Sequence, residues 1–488
     1  MPQKRVFLFG WLALAFAASV LTACQPQSSE RQSSADSASP RLSVADSAPP
    51  ADQVAPGDVY EYRLDNGLLV LVKVDRRAPV AVNQVWYRVG SSYEHNGITG
   101  VSHVLEHMMF KETDTLAPGE FSEIVSRYGG EQNAFTNRDY TAYFQTIAVE
   151  HLPRMFELEA DRMRNLKLSP EEFKKELEVV KEERIWRTED KPTGLAYERF
   201  MATVYMNSPY HHPVIGWMED LNSLTLEDAA DWYQRWYAPN RAIVVVVGDV
   251  DPRTVFEQVE AAFGDYEAVD LAPPKPQQET PQRGQRRVRV HGRTEQPHLY
   301  LGWKVPSLAT VATEDEWQVF ALDVMASVLD SGASSRFPRE LVRENRIAQS
   351  AGTSYNITSR LRSTFMLSGA PAGENTLEEL EEAMLSHIKR LQTELVGEDE
   401  LARVKSQVLA QDVYQKDSMF YQGMVMGMLE ANGIGYERAD EYVDRIQAVT
   451  AEQIQQVAKI YFSDQTMTAA ELLPQTDGQD KTSQEGAL

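Results

Sequence analysis

The sequence predicts an α+β protein of two homologous domains, each a sheet with helices packed on one face. Three observations carry this expectation. Segments of alternating or β-branched apolar character are interspersed with segments of helical period, so the chain is neither all-α nor all-β. A polar, Pro- and Gln-rich stretch, Ala272 to Arg287, interrupts the pattern, which then restarts with a strand at Leu299 to Val305 and a helix at Glu314 to Leu329. The order Thr225-Leu-Glu-Asp, aromatic Tyr237, apolar strand recurs as Thr450-Ala-Glu-Gln, Phe462 and the apolar run Met467 to Leu473, the mark of a duplication.

Composition sets the outer bounds. The chain has 488 residues, room for two or three domains, with 42% apolar and 25% charged residues, as in ordinary globular proteins. A net charge of −24 excludes a nucleic-acid binder and chiefly makes the surface soluble. The one cysteine, Cys24, excludes an internal disulfide framework and a Cys-based zinc site.

Taken in order, Lys4 and Arg5 precede an apolar run from Val6 to Val20, which reads as a secretory signal peptide; a retained membrane anchor is the alternative. The run ends Leu21-Thr22-Ala23-Cys24, which resembles the lipobox of bacterial lipoproteins. That resemblance implies lipidation of Cys24 and, with Gln25 following, a lipid anchor to the periplasmic face of the outer membrane. Residues 25–56 are Ser-, Ala- and Pro-rich and read as a disordered tether. The first domain is assigned to 57–271, a linker to 272–288, the second domain to 289–474, and a disordered tail to 475–488; the second domain is read as non-catalytic, because its corresponding helix, Glu314 to Leu329, has no H-x-x-E-H motif. Within the first domain, Glu61 to Val74 and Val80 to Val89 suggest a strand pair. A helix at Phe121 to Tyr128 is stopped by Gly129-Gly130, and Asn133 to Ile147 reads as strands. Ser169 is an N-cap, followed by Pro170 and Glu172, for a helix running to about Arg187. Thr225 opens another helix to Tyr237, followed by the apolar strand Ala242 to Val247.

The chemistry is concentrated at His103-Val-Leu-Glu106-His107, an H-x-x-E-H motif, the zincin signature in inverted order. Residues four apart on a helix differ by about 40° of rotation and about 6 Å of rise, so both imidazoles can face one ion. Glu106 then lies beside that ion, where a general base belongs. The neighbours Val101, Val104, Leu105, Met108, Met109 and Phe110 make this a buried helix rather than a solvated face, and its polar side chains need partners. The third zinc ligand is sought on the Ser169 helix. Glu176, Val180 and Glu183 share a face there with Phe173 and Leu177, but the helix also carries Glu171, Glu172, Glu178 and Glu182, and periodicity leaves the choice open.

Three motifs together resemble the pitrilysin/insulinase family of zinc metallopeptidases, the inverzincins that include the mitochondrial processing peptidase. They are His103-Val-Leu-Glu106-His107, the Gly129-Gly130…Asn133-Ala134-Phe135-Thr136 stretch, and Glu176…Glu183. The likeness in domain order spans roughly residues 60–473. It implies one Zn²⁺ held by His103, His107 and Glu183, water activation by Glu106, and Glu176 orienting a ligand His. It also implies that Asn133 and Ala134 lie on an edge strand pairing with an extended peptide substrate, and that the two halves form a clamshell. Family members commonly carry an Arg and, seven residues later, a Tyr in the second domain. Here those positions hold Val342 and Gln349, with Arg343 the nearest substitute. The resemblance therefore implies a zinc endopeptidase completed by a related subunit that supplies the Arg/Tyr pair, or a homodimer. The rivals are a non-catalytic binding or assembly subunit and a metal-carrying lipoprotein without peptidase activity. His211-His212 is read as structural, and His151 and His387 as surface residues.

Overall fold

The structure is a computed structural model and describes residues 54–272 and 274–475. The signal segment, Cys24, nearly all of the tether and the tail lie outside the described residues. The first half runs β1 (Val59–Arg63), β2 (Leu69–Val74), β3 (Val80–Tyr87), α1 (Val101–Met108), α2 (Glu120–Arg127), β4 (Glu131–Thr136), β5 (Thr141–Ala148) and α3 (Leu152–Arg164). It continues with α4 (Pro170–Arg184), α5 (Pro192–Val204), α6 (Met218–Ser223), α7 (Leu226–Trp236), β6 (Ala242–Gly248) and α8 (Pro252–Phe263). The second half comprises β7 (Arg286–Gly292), β8 (His298–Val305), α9 (Trp317–Leu329), β9 (Ala348–Ser354), β10 (Ser363–Pro371), α10 (Leu377–Thr393) and α11 (Glu398–Lys416). It closes with α12 (Met419–Ala431), α13 (Tyr442–Ala448), α14 (Ala451–Tyr461) and β11 (Thr468–Pro474).

The strand orders are β1-β2-β6-β3-β5-β4 and β7-β11-β8-β10-β9. The second sheet repeats the first without β1: a parallel pair (β2–β6, β7–β11) followed by antiparallel neighbours. The repeat read in the sequence has a physical counterpart in the caps. Thr225 and Asp228 close a capping box at α7, and Thr450 and Gln453 close the same box at α14; each helix leads into the strand of its sheet that pairs in parallel. The expected pairing of β2 with β3 does not form. β6 lies between them, because its uninterrupted apolar run, Ala242 to Val247, is buried on both faces and belongs at the centre of the sheet.

Side-chain alternation divides each sheet into two faces. On the first, Val70, Val72, Val85, Tyr87, Val244 and Val246 bury against that half's own helices. The other face, with Leu69, Leu71, Trp86, Ile243 and Val245, is covered by α12 of the second half through Met426 and Ala431. Reciprocally, α5 of the first half lies on the second sheet, with Phe200 and Val204 against Val290, Tyr300 and Leu472. Glycines permit both approaches: a Cβ at Gly427 would sit 2.1 Å from Trp86, and one at Gly302 would sit 2.6 Å from Phe200. The halves are therefore interlocked. The polar linker is also docked, since the Glu279 carboxylate accepts from the N–H groups of Met206, Asn207 and Ser208 and pairs with Lys304 at 3.2 Å.

Candidate metal centre

The helix α1 enters the core through Val101, Val104, Leu105 and Met108, which leaves His103, Glu106 and His107 on the side facing α4 and β4. Its N-cap, Gly100, has a positive φ of 90° and offers no side chain. The cap comes instead from the buried Glu94, whose carboxylate accepts from Gly100 N–H (2.8 Å) and Ser102 N–H (2.9 Å). Burial pushes the Glu94 carboxyl up from its ordinary 4.5 to about 7, against the opposing pull of those two bonds. The folded chain thus holds more proton at this site than the unfolded chain, so the stability it contributes is lost as pH rises from 4.5 toward 7. Glu94→Gln is expected to flatten the pH dependence of the urea midpoint across that window by up to about 1.4 kcal/mol per pH unit. An unchanged slope would show that Glu94 does not titrate there.

Two ring nitrogens and one carboxylate oxygen converge. His103 Nε2 lies 3.8 Å and His107 Nε2 3.6 Å from Glu183 Oε2, with the two rings nearly perpendicular, 5.0 Å apart. Ligand atoms of the three residues all fall within 4.8 Å of one another. Four donors about 2.1 Å from a tetrahedral zinc would stand about 3.4 Å apart, so the spacing suits such an ion. The chemistry suits it too. Burial lowers the His103 pKa to about 3, leaving a neutral imidazole facing an anionic oxygen, an arrangement of lone pairs that a cation completes. His107 Nδ1–H donates to Glu176 at 3.1 Å, which turns its Nε2 lone pair toward Glu183, and Lys111 holds the other Glu176 oxygen at 2.5 Å. Arg187 takes the second oxygen of Glu183 at 2.7 Å.

The helix α4 starts where the sequence indicates, with Ser169 accepting from Glu172 N–H. It does not remain α-helical to Arg187. After Arg184 it widens into a π-helical turn, Ile185–Glu189, because Arg184 is drawn into the core by Glu198 (2.7 Å) and the Gly216 carbonyl (2.7 Å). Glu106 stands apart from the three converging atoms. Its Oε2 accepts from the Thr136 hydroxyl at 2.5 Å, and burial raises its pKa. Thr136 ends β4, the edge strand of the first sheet, so the Glu106 carboxylate is set directly beside that edge. Asn133 and Ala134 lie on the same strand, with the Ala134 N–H held by Asn133 Oδ1 at 2.9 Å.

These groups line one cavity of about 640 Å³ with Arg138, Tyr197, Met201 and the 211–215 loop. His211 and His212 line it while bonded to the Ser208 carbonyl (2.8 Å) and Asn96 Oδ1 (3.0 Å). Arg343 is not brought there. It is exposed, and its guanidinium donates to the Ala333 carbonyl. Val342 packs toward the second core and Gln349 is exposed on β9. His151 is half-buried, stacked on Tyr128. The expectation of a surface His387 fails: it is buried edge-on against Phe337, because α10 turns this residue inward with Met384 and Leu391. Sequence reasoning missed Glu94, Lys111, Arg138 and the hydroxyl of Thr136; only Thr136 carried a signal, as the last residue of a quoted motif.

Comparison with known proteins places this architecture. The family model "Insulinase (Peptidase family M16)" matches residues 69–216, and "Peptidase M16 inactive domain" matches residues 223–408. Zinc protease PqqE of Helicobacter pylori is 35% identical over 418 residues, which are 84% of this chain and 92% of the relative. The chain belongs to peptidase family M16. The crystal structure of a protease from Helicobacter pylori matches this M16 chain with a TM-score of 0.81 at 31% identity, covering 86% of the chain and all of its counterpart. The first half of the periplasmic protease PqqL from Escherichia coli matches with a TM-score of 0.69 at 18% identity, over 89% and 95% of the two chains, a likeness of fold alone. The two-domain α+β fold and the family expected from the sequence are thus both met. The insulinase model spans α1, β4 and α4, which carry every residue of the converging set, whereas the inactive-domain model runs from α7 into α11.

Proposed function

We propose that this M16 chain is a zinc-dependent endopeptidase that hydrolyses short or unfolded polypeptides. One observation carries the reading: His103, His107 and Glu183 converge on the wall of a cavity edged by β4, with Glu106 beside them and outside the converging set. A zinc ion held by those three side chains supplies a Lewis acid that makes water nucleophilic near neutral pH. Glu106, oriented by Thr136, takes the proton of that water and returns it to the leaving amine. Glu176 keeps the His107 ring in its binding tautomer. The open edge of β4 receives an extended substrate backbone, displacing Asn133 Oδ1 from the Ala134 N–H, which favours unfolded chains over folded ones.

The chain works with a second subunit. Val342 and Gln349 stand where the family's Arg and Tyr are expected, and Arg343 is directed to the Ala333 carbonyl. Losing one oxyanion donor costs about 10²–10³ in rate, so the reading includes a related subunit that supplies the pair, or a second copy of this chain. Leu21-Thr22-Ala23-Cys24 followed by Gln25 supports a lipid anchor at the periplasmic face of the outer membrane. Among the described residues no helix is long and apolar enough to cross a membrane. A second reading, a non-catalytic binding or assembly subunit, is favoured by the same two substitutions.

The test is zinc content by elemental analysis, together with cleavage of a pool of unstructured peptides, by the chain alone and with any protein that co-purifies. Stoichiometric zinc and cleavage abolished by a chelator are expected. Zinc bound without cleavage in either preparation would favour the second reading, and no zinc would defeat the metal assignment.

A further inference from the structure

The cavity wall carries five acidic or basic side chains besides its histidines: Glu106, Glu183, Glu198, Arg138 and Arg187. Glu106 and Glu183 belong to the reacting centre, Glu183 also binds Arg187 at 2.7 Å, and Glu198 holds Arg184 at 2.7 Å. Arg138 differs. Its Nε is buried without a hydrogen-bond partner, and no carboxylate lies within ion-pair distance of it among the described residues. Phenols surround it: Tyr197 shares its stretch of cavity wall, and the Tyr210 ring centre is 5.8 Å from the guanidinium carbon.

The carboxylate next in sequence, Asp139, is already engaged. Asp139 is buried and accepts from Arg360 Nε (3.1 Å), Ser92 Oγ (2.8 Å) and the Tyr210 hydroxyl. The main chain at Arg138 is fixed in place. A Cβ at Gly90 would lie 2.1 Å from the Asn137 carbonyl oxygen and 2.8 Å from that of Arg138, so this corner is packed hard against the β3–α1 loop. Arg138 is partly buried on the cavity wall with its Nε shielded and unpartnered; a cation so placed gains from an anion, and its planar fork matches a carboxylate better than any other common peptide group.

We propose that Arg138, with Tyr197 beside it, is a carboxylate-binding subsite of the cleft. It takes an acidic side chain or the C-terminal carboxylate of a bound peptide. The inference rests on the peptidase reading only in taking the ligand to be a peptide. Placement sets the register. Thr136, which touches Glu106, ends β4, and Arg138 follows two residues later. A substrate strand added along β4 advances about 3.3 Å per residue, so the bound carboxylate lies a few residues from the bond being cleaved. The subsite thereby selects acidic segments in a cleft whose other cation, Arg187, is engaged by Glu183.

The experiment measures binding, independently of turnover. The full-length chain, loaded with zinc, is titrated with fluorescein-labelled peptides of Ala, Ser and Thr carrying one Glu or one Gln at successive positions, each as C-terminal acid and amide. For an acidic side chain, the Glu peptide of one register should bind about tenfold more tightly than its Gln counterpart, whichever terminus it carries. For a C-terminal carboxylate, the acid should instead outbind the amide irrespective of internal Glu. Arg138→Gln should bring either ratio close to one, and Arg138→Lys, which keeps the charge without the fork, should retain part of it. Equal affinities in the parent chain, or an undiminished ratio in folded Arg138→Gln, would overturn the subsite. Carboxylate discrimination in a chain that never cleaves would leave the subsite standing and defeat the peptidase reading. Cleavage without discrimination would do the reverse, and no binding of any peptide would defeat both.

Discussion

Glu106→Gln should keep the zinc of the parent chain and lower its peptide cleavage by about 10²–10⁴. The substitution preserves shape and an oxygen acceptor for the Thr136 hydroxyl, 2.5 Å away in the parent, but removes the ability to take a proton. Zinc content should not change, because Glu106 is not one of the three residues whose ligand atoms converge. His107→Ala provides the contrast, since it deletes one of those atoms and should empty the site. Single-turnover cleavage of an unstructured peptide, run beside elemental analysis of each variant, separates the two effects. Undiminished cleavage by Glu106→Gln would remove Glu106 from the role of base, whatever its position.

The second large effect concerns folding. Glu159→Ala should destabilise the chain by about 3–5 kcal/mol, a substantial part of the roughly 5–15 kcal/mol that holds a typical protein folded. Glu159 and Arg162 are both fully buried on α3, with Arg162 Nε donating to Glu159 at 2.7 Å. Gln145 donates to the same carboxylate and in turn accepts from Asn83 at 2.9 Å, which ties the pair to the centre of the first sheet. The guanidinium lies 4.3 Å from the Tyr143 ring centre and 4.4 Å from that of Phe121, beneath the end of the metal-motif helix. Removing Glu159 alone strands that cation in the core, whereas replacing both partners with apolar residues of similar volume should restore much of the loss. Urea midpoints of the single and double variants decide it, and a cost below about 1 kcal/mol for the single change would show that water reaches Arg162.

Features that depend on a few neighbouring residues were legible in the sequence. The caps at Ser169, Thr225 and Thr450 form as their side chains require, and the H-x-x-E-H run makes a helix with both imidazoles on one side. Features that depend on distant segments were not. The insertion of β6 between β2 and β3, and the crossing of α5 and α12 onto the opposite sheets, follow from which apolar faces meet. Local patterns fix how apolar a face is, not which partner covers it. The same limit hid Glu94, which is six residues from Gly100 and caps α1 from outside the helix, and the inward turn of His387.

The sequence by itself determined that two imidazoles and a carboxylate share one buried helix, that the domain is duplicated, and that the second copy lacks the motif. Helical period and side-chain caps act over a single turn, so a linear reading captures them. Tertiary structure alone decided which of the acids on α4 faces the imidazoles and which cavity charge is left without a partner. Period assigns Glu183 to a face of α4, but the rotation of α4 against α1 comes from seating Phe173, Leu177 and Val180 in the core. That packing brings Glu183 Oε2 to 3.6 Å from His107 Nε2 and sets Glu176 against the far side of the same ring. The unpartnered Nε of Arg138 arises likewise from distant packing, with the adjacent Asp139 carboxylate bound by Arg360 of the second half.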